Sequence, residues 1–310
     1  MRSADPARPR IRSALFLPAQ RADFLERAGE RDADAVILDL EDAVAAAGKS
    51  SARANAAMWL SERSPSTRPY GMVRVNSIDS GLLDDDLDAV VGANLEAVLV
   101  PKIRSAHDVR LISDRLAWLE GHRGLPLGRV AIWPIIETAD AIVAIDEVAR
   151  ASKRVAYLGG GTSEEGDLAR DIGFEWTVAG WETLYIRSRV LVAARSAGIH
   201  NPMTGLVSTL AEPAEVEQFA LQARQLGYSG MMVIHPSHVG TVNAVFTPSE
   251  ADVVRAGAVV RALADAAQSG TGAVTFEGRM VDVAMGHTAR RVLDDAAQVR
   301  ENTSRPDGDD

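Results

Sequence analysis

The strongest constraint on the fold is a series of eight short apolar runs, separated by longer segments with the three- and four-residue apolar spacing of helices. The runs are Ala14–Pro18, Ala35–Leu40, Met72–Asn76, Ala97–Ile103, Val130–Ile136, Val155–Leu158, Ile199–Thr204 and Gly230–His235. Most are continuously apolar, which is typical of parallel strands buried on both faces. Because eight strand–helix units are the number that closes such a sheet, we predict an α/β fold, the (β/α)8 TIM barrel.

An open, doubly wound sheet is the alternative arrangement of alternating strands and helices. That fold usually has a glycine-rich phosphate-binding turn after its first strand. Here the first run ends in Pro18, Ala19, Gln20 and Arg21, so the barrel is favoured.

The chain is predicted to contain one catalytic domain and one appendage. We assign residues 11–268 to the barrel and residues 269–300 to a C-terminal helical lid or oligomerisation extension, because this last segment exceeds what eight units need. Residues 1–10 and 301–310 are polar and contain proline, so we predict that both ends are disordered.

Composition excludes several kinds of partner and site. The formal net charge of −10 argues against nucleic acid and anionic membranes, which select basic surfaces. The absence of cysteine excludes disulfides, thiolate metal sites and a cysteine nucleophile. There is no membrane-length apolar run, and the first residues lack the apolar core of a signal peptide, so we predict a cytoplasmic enzyme.

Charged residues collect where the predicted strands end, which is where barrel enzymes place their active sites. They are Glu41 and Asp42 after the second run, Arg74 in the third, Lys102 in the fourth, Glu137 after the fifth, and Glu164, Glu165 and Asp167 after the sixth. Any one such carboxylate is more often a helix cap or an ion-pair member than a ligand. Their convergence on one rim, without cysteine or a His-x-x-x-His pair, predicts Mg²⁺ or Mn²⁺ bound by oxygen.

The order of several motifs resembles one known family. The motifs are Arg12–Pro18, Ala35–Val44, Val73–Asn76, Val100–Lys102, Ile136–Ala139, Ile186–Arg189, Ala193–Arg195, Ile234–Pro236, Val242–Phe246 and Gly278–Asp282. Together they resemble the citrate lyase β-subunit group of the HpcH/HpaI aldolase superfamily, which includes malyl-CoA, citramalyl-CoA and citryl lyases.

The resemblance implies roles for particular residues of this sequence. Glu137 matches a metal-ligating glutamate, and Arg74 matches an arginine that holds substrate oxygen and stabilises a thioester enolate. Asp282 matches an aspartate that acts as acid or base in a neighbouring subunit's site. The remaining matches are Arg12, Ser13 and Lys102, which handle the substrate carboxylate or CoA phosphates, and Glu41 and Asp42, which hold metal-bound waters.

Two segments depart from the family pattern. The family usually has Gly-Ala-Glu-Asp-Leu after strand six, whereas here a longer loop follows Gly161. Alignment on Asp167-Leu168 makes Asp167 the second metal ligand, with Glu164 or Glu165 as alternatives. The family's strand seven usually offers an aspartate, where this chain has Pro202–Gly205.

Together with the charged rim, the family resemblance implies a Mg²⁺-dependent carbon–carbon lyase acting on a short β-hydroxyacyl thioester, such as citramalyl-CoA, malyl-CoA or citryl-CoA. Its products would be an acyl-CoA and an α-keto acid, with CoA entering as part of the substrate. The alternatives are an aldolase on a free hydroxy-keto acid without CoA, and a non-catalytic subunit of a lyase complex. A shared Asp282 would make the protein a homo-oligomer, a trimer or a multiple of one.

Overall fold

The computed structural model describes residues 8–64, 68–208 and 213–304. These residues form two compact units, one ending at Phe246 and the other starting at Thr247. Part of each predicted disordered end is ordered: Arg8 donates a hydrogen bond to Glu96 at 3.0 Å, and the last helix continues to Ser304. The other residues of those two ends, 1–7 and 305–310, lie outside the described residues.

The first unit is built on eight parallel strands. They are β1 Ser13–Pro18, β2 Ala35–Asp39, β3 Tyr70–Arg74, β4 Leu95–Val100, β5 Ala131–Pro134, β6 Tyr157–Gly159, β7 Asn201–Thr204 and β8 Gly230–Val233. Hydrogen bonds join them in the order β5-β4-β3-β2-β1-β8-β7-β6. Bridges from Ile132 to Val155 and from Ile135 to Gly159 close the ring between β5 and β6, which confirms the predicted TIM barrel.

Alternating strand residues build two apolar layers. One layer fills the barrel and includes Ile37, Met72 and Trp133, whose ring stacks on Tyr157 at a centroid distance of 5.5 Å. The other lies between strands and helices and includes Leu38. Because the interior is filled, chemistry is confined to the ends of the barrel.

Helices follow the strands around the outside of the barrel. They are α1 Ala22–Glu26, α2 Lys49–Ser61, α3 Leu83–Val90, α4 Ala106–His122, α5 Ala139–Val143, α6 Ile145–Arg150, α7 Asp167–Ile172, α8 Leu184–Ala197, α9 Pro213–Leu226 and α10 Pro236–Phe246. Ser105 begins α4 with a capping box that it forms with Asp108. In the described part of the chain, no helix combines the length and the apolar character that crossing a membrane requires.

The second unit contains α11 Glu250–Gln268, the antiparallel hairpin β9 Ala273–Phe276 and β10 Arg279–Asp282, and α12 Val283–Ser304. Its core includes Val259, Leu263 and Val281. The predicted barrel boundary at 268 differs from the observed division at Phe246, because α11 packs with α12 and the hairpin. The hairpin was not predicted, since strands of four residues are too short for a clear sequence signal.

Candidate active site

The carboxyl ends of the strands, called here the carboxyl rim, carry a fixed guanidinium. Strand register pairs Asp39 at the end of β2 with Arg74 at the end of β3. Arg74 Nε and Nη2 donate to the two Asp39 oxygens at 2.7 and 2.6 Å, and Nη1 lies 3.1 Å from Glu41. Asp39 also accepts backbone N–H bonds from Glu41 and Ala43, so the guanidinium has one defined position.

Lys102 places a second cation among the carboxylates of this rim. Its ammonium lies 2.7 Å from Glu41, 3.9 Å from Asp42 and 3.6 Å from Asp167. Burial raises the pKa of Glu41, while Arg74 and Lys102 oppose that rise. The sequence prediction that these strand-end charges converge is therefore realised for Glu41, Asp42, Arg74, Lys102 and Asp167.

Glu137 is the most buried of the predicted metal ligands, with 8% of its surface exposed. The backbone N–H of Lys102 donates to its Oε1 at 2.7 Å, and no described residue donates to its Oε2. Burial raises the pKa of Glu137 to about 7, even though the Lys102 N–H favours the ionised form. One carboxylate oxygen is thus held in place while the other stays available.

The long loop after β6 brings Asp167 close to Glu137. Gly161 has a φ of 77°, and a Cβ at this position would lie 1.9 Å from the carbonyl oxygen of Ile136. Only glycine permits this approach, which lays the loop against the Glu137 segment. Asp167 then begins α7, where it pairs with Arg170.

The two alternative ligands in this loop are both exposed, but they differ in their contacts. Glu164 Oε2 accepts a hydrogen bond from Ser208 at 2.5 Å. Glu165 lines the same cavity as Glu137 and Asp167.

Several supporting residues gave no interpretable sequence signal. Lys49, at the start of α2, donates to the carbonyls of Leu40 and Glu41 at 2.6 and 2.8 Å and to Asn76 at 2.8 Å. Asp86, fully buried in α3, accepts from the backbone and side-chain nitrogens of Asn76, both at 2.7 Å. These contacts fix the backbone that presents Glu41. Only the three-dimensional structure brings Lys49 and Asp86 to the rim.

Two cavities lie beside the carboxylates. The polar cavity, of about 400 Å³, is lined by Lys102, Arg104, Glu137, Thr138, Asp140, Asp167, Arg170 and Asp171. The mixed cavity, of about 380 Å³, is lined by Phe16, Asp42, Arg74, Ile135, Glu137, Gly161, Ser163, Glu165, Gly166, Asp167, Arg170, Leu206 and Met232. Both volumes suit a small-molecule ligand.

Two residues assigned to substrate handling lie elsewhere. Arg12 precedes β1 and Ser13 begins it, so both are at the amino end of the barrel, opposite the carboxyl rim. Arg12 binds the buried Asp34 through its backbone N–H, Nε and Nη2 at 2.7–2.8 Å, and Ser13 binds Asn243 at 2.8 Å. Their predicted contact with substrate is therefore corrected to a structural role, because a strand's two ends are separated by its full length.

Asp282 lies in the second unit, at the end of β10. Its Oδ1 accepts the backbone N–H of Met285 at 3.0 Å, at the start of α12. The catalytic role suggested by the family resemblance stays a prediction.

The rim carries more negative than positive charge. Its carboxylates are Asp39, Glu41, Asp42, Glu137 and Asp167, and the cations in contact with them are Arg74, Lys102 and Arg170. Among these side chains the carboxylates outnumber the cations by two, an excess that a bound divalent cation would reduce. Within the described residues, no three acidic or histidine side chains are arranged as a complete metal-binding group.

Comparison with known proteins identifies the family of the chain. Residues 12–236 match the family model HpcH/HpaI aldolase/citrate lyase. A citrate lyase subunit beta-like protein from Deinococcus radiodurans is 37% identical, over 91% of this chain and 96% of the relative. An L-malyl-CoA/beta-methylmalyl-CoA lyase from Rhodobacter capsulatus is 29% identical, over 96% of this chain and 99% of the relative.

A solved structure supports the same assignment. CitE from Mycobacterium tuberculosis, in complex with magnesium, acetoacetate and coenzyme A, is 27% identical and superposes with a TM-score of 0.70. The match covers 96% of this chain and 100% of that one.

A filled barrel with charged side chains on its carboxyl rim is typical of a barrel enzyme. The chain belongs to the HpcH/HpaI aldolase/citrate lyase family. This membership confirms the predicted family and the predicted enzyme class, a carbon–carbon lyase.

Proposed function

We propose that this protein is a Mg²⁺-dependent lyase that cleaves or forms a short β-hydroxyacyl-CoA thioester, such as citramalyl-CoA, malyl-CoA or citryl-CoA. The observation that carries the proposal is the mixed cavity, which Glu137 and Asp167 line together with Arg74. The names of the relatives support it, since one is a malyl-CoA lyase and another was solved with magnesium and coenzyme A.

Glu137 and Asp167 would hold the cation. The donors fit Mg²⁺ because they are carboxylate oxygens, because one Glu137 oxygen accepts no hydrogen bond from a described residue, and because the rim has an excess of negative charge. With two protein ligands, waters would complete the coordination, held by Glu41 and Asp42. When bound, Mg²⁺ would polarise the substrate's carboxylate and the oxygen next to it.

The cleavage reaction balances without water or an oxidant as a co-reactant. The substrate hydroxyl gives up its proton, the carbon–carbon bond between the hydroxyl carbon and the α-carbon of the thioester breaks, and the hydroxyl carbon becomes the carbonyl of an α-keto acid. The electron pair of the broken bond forms the thioester enolate, whose carbon then takes up a proton. Condensation runs through the same groups in reverse.

Arg74 is proposed to stabilise the enolate oxygen. Its Nε and Nη2 donate to Asp39 and its Nη1 lies 3.1 Å from Glu41, so further N–H groups of the guanidinium are left for the substrate. A donor fixed in this way stabilises developing charge without reorganising during the reaction. Asp282 is proposed to return the proton to the enolate carbon from a neighbouring subunit of a homo-oligomer.

The decisive experiment measures kcat/KM for citramalyl-CoA, malyl-CoA and citryl-CoA, with Mg²⁺ and with a chelator. We expect Mg²⁺-dependent cleavage of at least one thioester, reduced about 10³-fold in Glu137→Gln, which keeps the shape but removes the charge. Glu147→Gln, an exposed position on α6, is the matched control and should retain full activity.

Two results would overturn the proposal. Cleavage of a free hydroxy-keto acid, with no gain from CoA, would identify an aldolase that does not need the thioester. An absence of turnover and of Mg²⁺ binding in the folded protein would identify a non-catalytic subunit.

A further inference from the structure

Part of the lining of the mixed cavity is apolar. Four residues form this part, called here the apolar wall, and all belong to or pack against the cluster that fills the barrel: Phe16 in β1, where the Arg74 guanidinium lies 5.0 Å from the ring centroid, Ile135 after β5, Leu206 after β7 and Met232 in β8. Ile135 and Met232 are each only 3% exposed. Both also press on Gly160, where a Cβ would lie 3.2 Å from Ile135 Cγ2 and 2.7 Å from Met232 Cε. The wall is therefore close-packed and fixed in position.

The rest of the mixed cavity offers no unpaired cation. Its charged lining consists of the carboxylates of Asp42, Glu137, Glu165 and Asp167 and the cations of Arg74 and Arg170. Arg74 is bound to Asp39 and Glu41, its remaining N–H groups are those proposed to hold the enolate oxygen, and Arg170 is paired with Asp167. Of the described lining residues, each cation is already matched by a carboxylate. A divalent cation would balance the remaining charge and attract one substrate carboxylate.

A second substrate carboxylate would meet either the apolar wall or like charges. Burial of an ionised carboxylate without a counter-charge is costly, and the lining holds no cation beyond those that its four carboxylates already match. A methyl group placed against Ile135 and Met232 would instead gain from leaving water. The two halves of the cavity thus favour a substrate with one acidic end and one small apolar group.

We infer that the apolar wall determines which group the hydroxyl carbon of the substrate carries. Hydrogen or a short alkyl group such as methyl is accepted, and a carboxymethyl group is rejected. This inference rests on the proposed function and narrows it to thioesters whose cleavage releases an α-keto acid with a single carboxylate. Phe16, Ile135, Leu206 and Met232 are the specificity-determining residues.

The test compares three CoA thioesters that differ only in this group: hydrogen in malyl-CoA, methyl in citramalyl-CoA and carboxymethyl in citryl-CoA. One methylene in an apolar pocket changes kcat/KM by about 10–200-fold. We therefore expect kcat/KM for citramalyl-CoA to exceed kcat/KM for malyl-CoA by about tenfold. Citryl-CoA should be the poorest substrate, by about 100-fold or more relative to citramalyl-CoA.

Two variants alter the wall in opposite ways. Met232→Ala removes apolar contact and should lower the ratio of citramalyl-CoA to malyl-CoA kcat/KM about tenfold. Leu206→Arg adds a cation at a half-buried position. It should raise the ratio of citryl-CoA to citramalyl-CoA kcat/KM by about tenfold or more. Exposed Met58→Ala and Leu221→Ala are controls for side-chain removal, and should leave both ratios unchanged. Leu206→Ala is the milder variant if arginine prevents folding, and should lower the preference for citramalyl-CoA.

A wild-type preference for citryl-CoA would overturn the inference. So would folded wall variants whose ratios of kcat/KM between the thioesters stay within twofold of the wild-type ratios. If no thioester is cleaved, the proposed function fails on its own. Calorimetric titration of the wild-type protein with pyruvate and with oxaloacetate, in the presence of Mg²⁺, then decides the role of the wall. Tighter binding of pyruvate that is lost in Met232→Ala supports it, and tighter binding of oxaloacetate contradicts it.

Discussion

The backbone N–H of Lys102 donates to Glu137 Oε1 at 2.7 Å while Lys102 itself has a φ of 54°. A left-handed conformation is unfavourable for lysine, because its Cβ crowds the following carbonyl. The loop after β4 adopts it where the amide can hold the carboxylate that follows β5. This one residue therefore orients Glu137 through its backbone and balances Glu41 through its ammonium.

We predict that Lys102→Gly is more stable than Lys102→Ala by about 1 kcal/mol. Both variants lose the ammonium, but only alanine keeps the Cβ that opposes a positive φ. Urea denaturation of the two variants measures the difference. Equal stability, or a more stable alanine variant, would show that the left-handed backbone carries no strain.

The second metal ligand can be assigned by comparing three alanine variants. Asp167→Ala should weaken Mn²⁺ binding by about tenfold or more and should abolish Mg²⁺-dependent cleavage. Electron paramagnetic resonance measures the Mn²⁺ binding. Glu164→Ala should change neither binding nor cleavage, since Glu164 is bound to Ser208 and lines neither of the two cavities described above. Normal metal binding in Asp167→Ala with loss in Glu165→Ala would move the ligand to Glu165.

The buried pair of Glu120 and Arg154 should stabilise the barrel away from the active site. Arg154 donates to both Glu120 oxygens at 2.7 and 2.6 Å, and Glu120 also accepts from the backbone of Gly128 and Val130. Glu120→Gln leaves a buried guanidinium without its counter-charge, so we expect a loss of about 3–5 kcal/mol at pH 7. Activity per folded molecule should not change.

The same pair gives a pH dependence with a definite sign. Burial opposes ionisation of Glu120, but the bonds from Arg154, Val130 and Gly128 outweigh it and lower the pKa of Glu120 below its ordinary value. A carboxylate with a lowered pKa contributes stability above its unfolded-state pKa and loses it as the pH falls through its folded-state pKa. The wild-type advantage over Glu120→Gln, measured by thermal unfolding, should therefore shrink in acid. An advantage that is constant with pH would contradict this.

Subunit sharing of the active site can be tested by mixing two inactive variants. If Asp282 serves a neighbouring chain of a homotrimer or a multiple of it, Asp282→Ala mixed with Arg74→Ala should regain activity, because some sites then contain both residues. Each variant alone is the control, and subunit exchange is verified with tagged chains. A monomer with normal turnover, or no rescue despite exchange, would count against the shared site.

The sequence predicted the barrel well because its strands are buried on both faces and therefore appear as continuous apolar runs. It also located most of the rim, since residues such as Glu41 and Glu137 directly follow such runs. It failed for Arg12, where a motif shared with a family was taken as evidence of substrate contact. The position of Arg12 ahead of β1 places its side chain at the opposite end of the barrel.

By itself, the sequence determined the alternation of strands and helices, the end of the barrel that carries charge, and the choice of oxygen donors over thiolates. Only the tertiary structure decided which oxygen donors and which apolar side chains come together in one cavity. The apolar wall, which comes from β1, β5, β7 and β8, depends on closure of the ring. Closure brings distant residues together through the register and the order of the strands. Local sequence patterns carry no information about either of these.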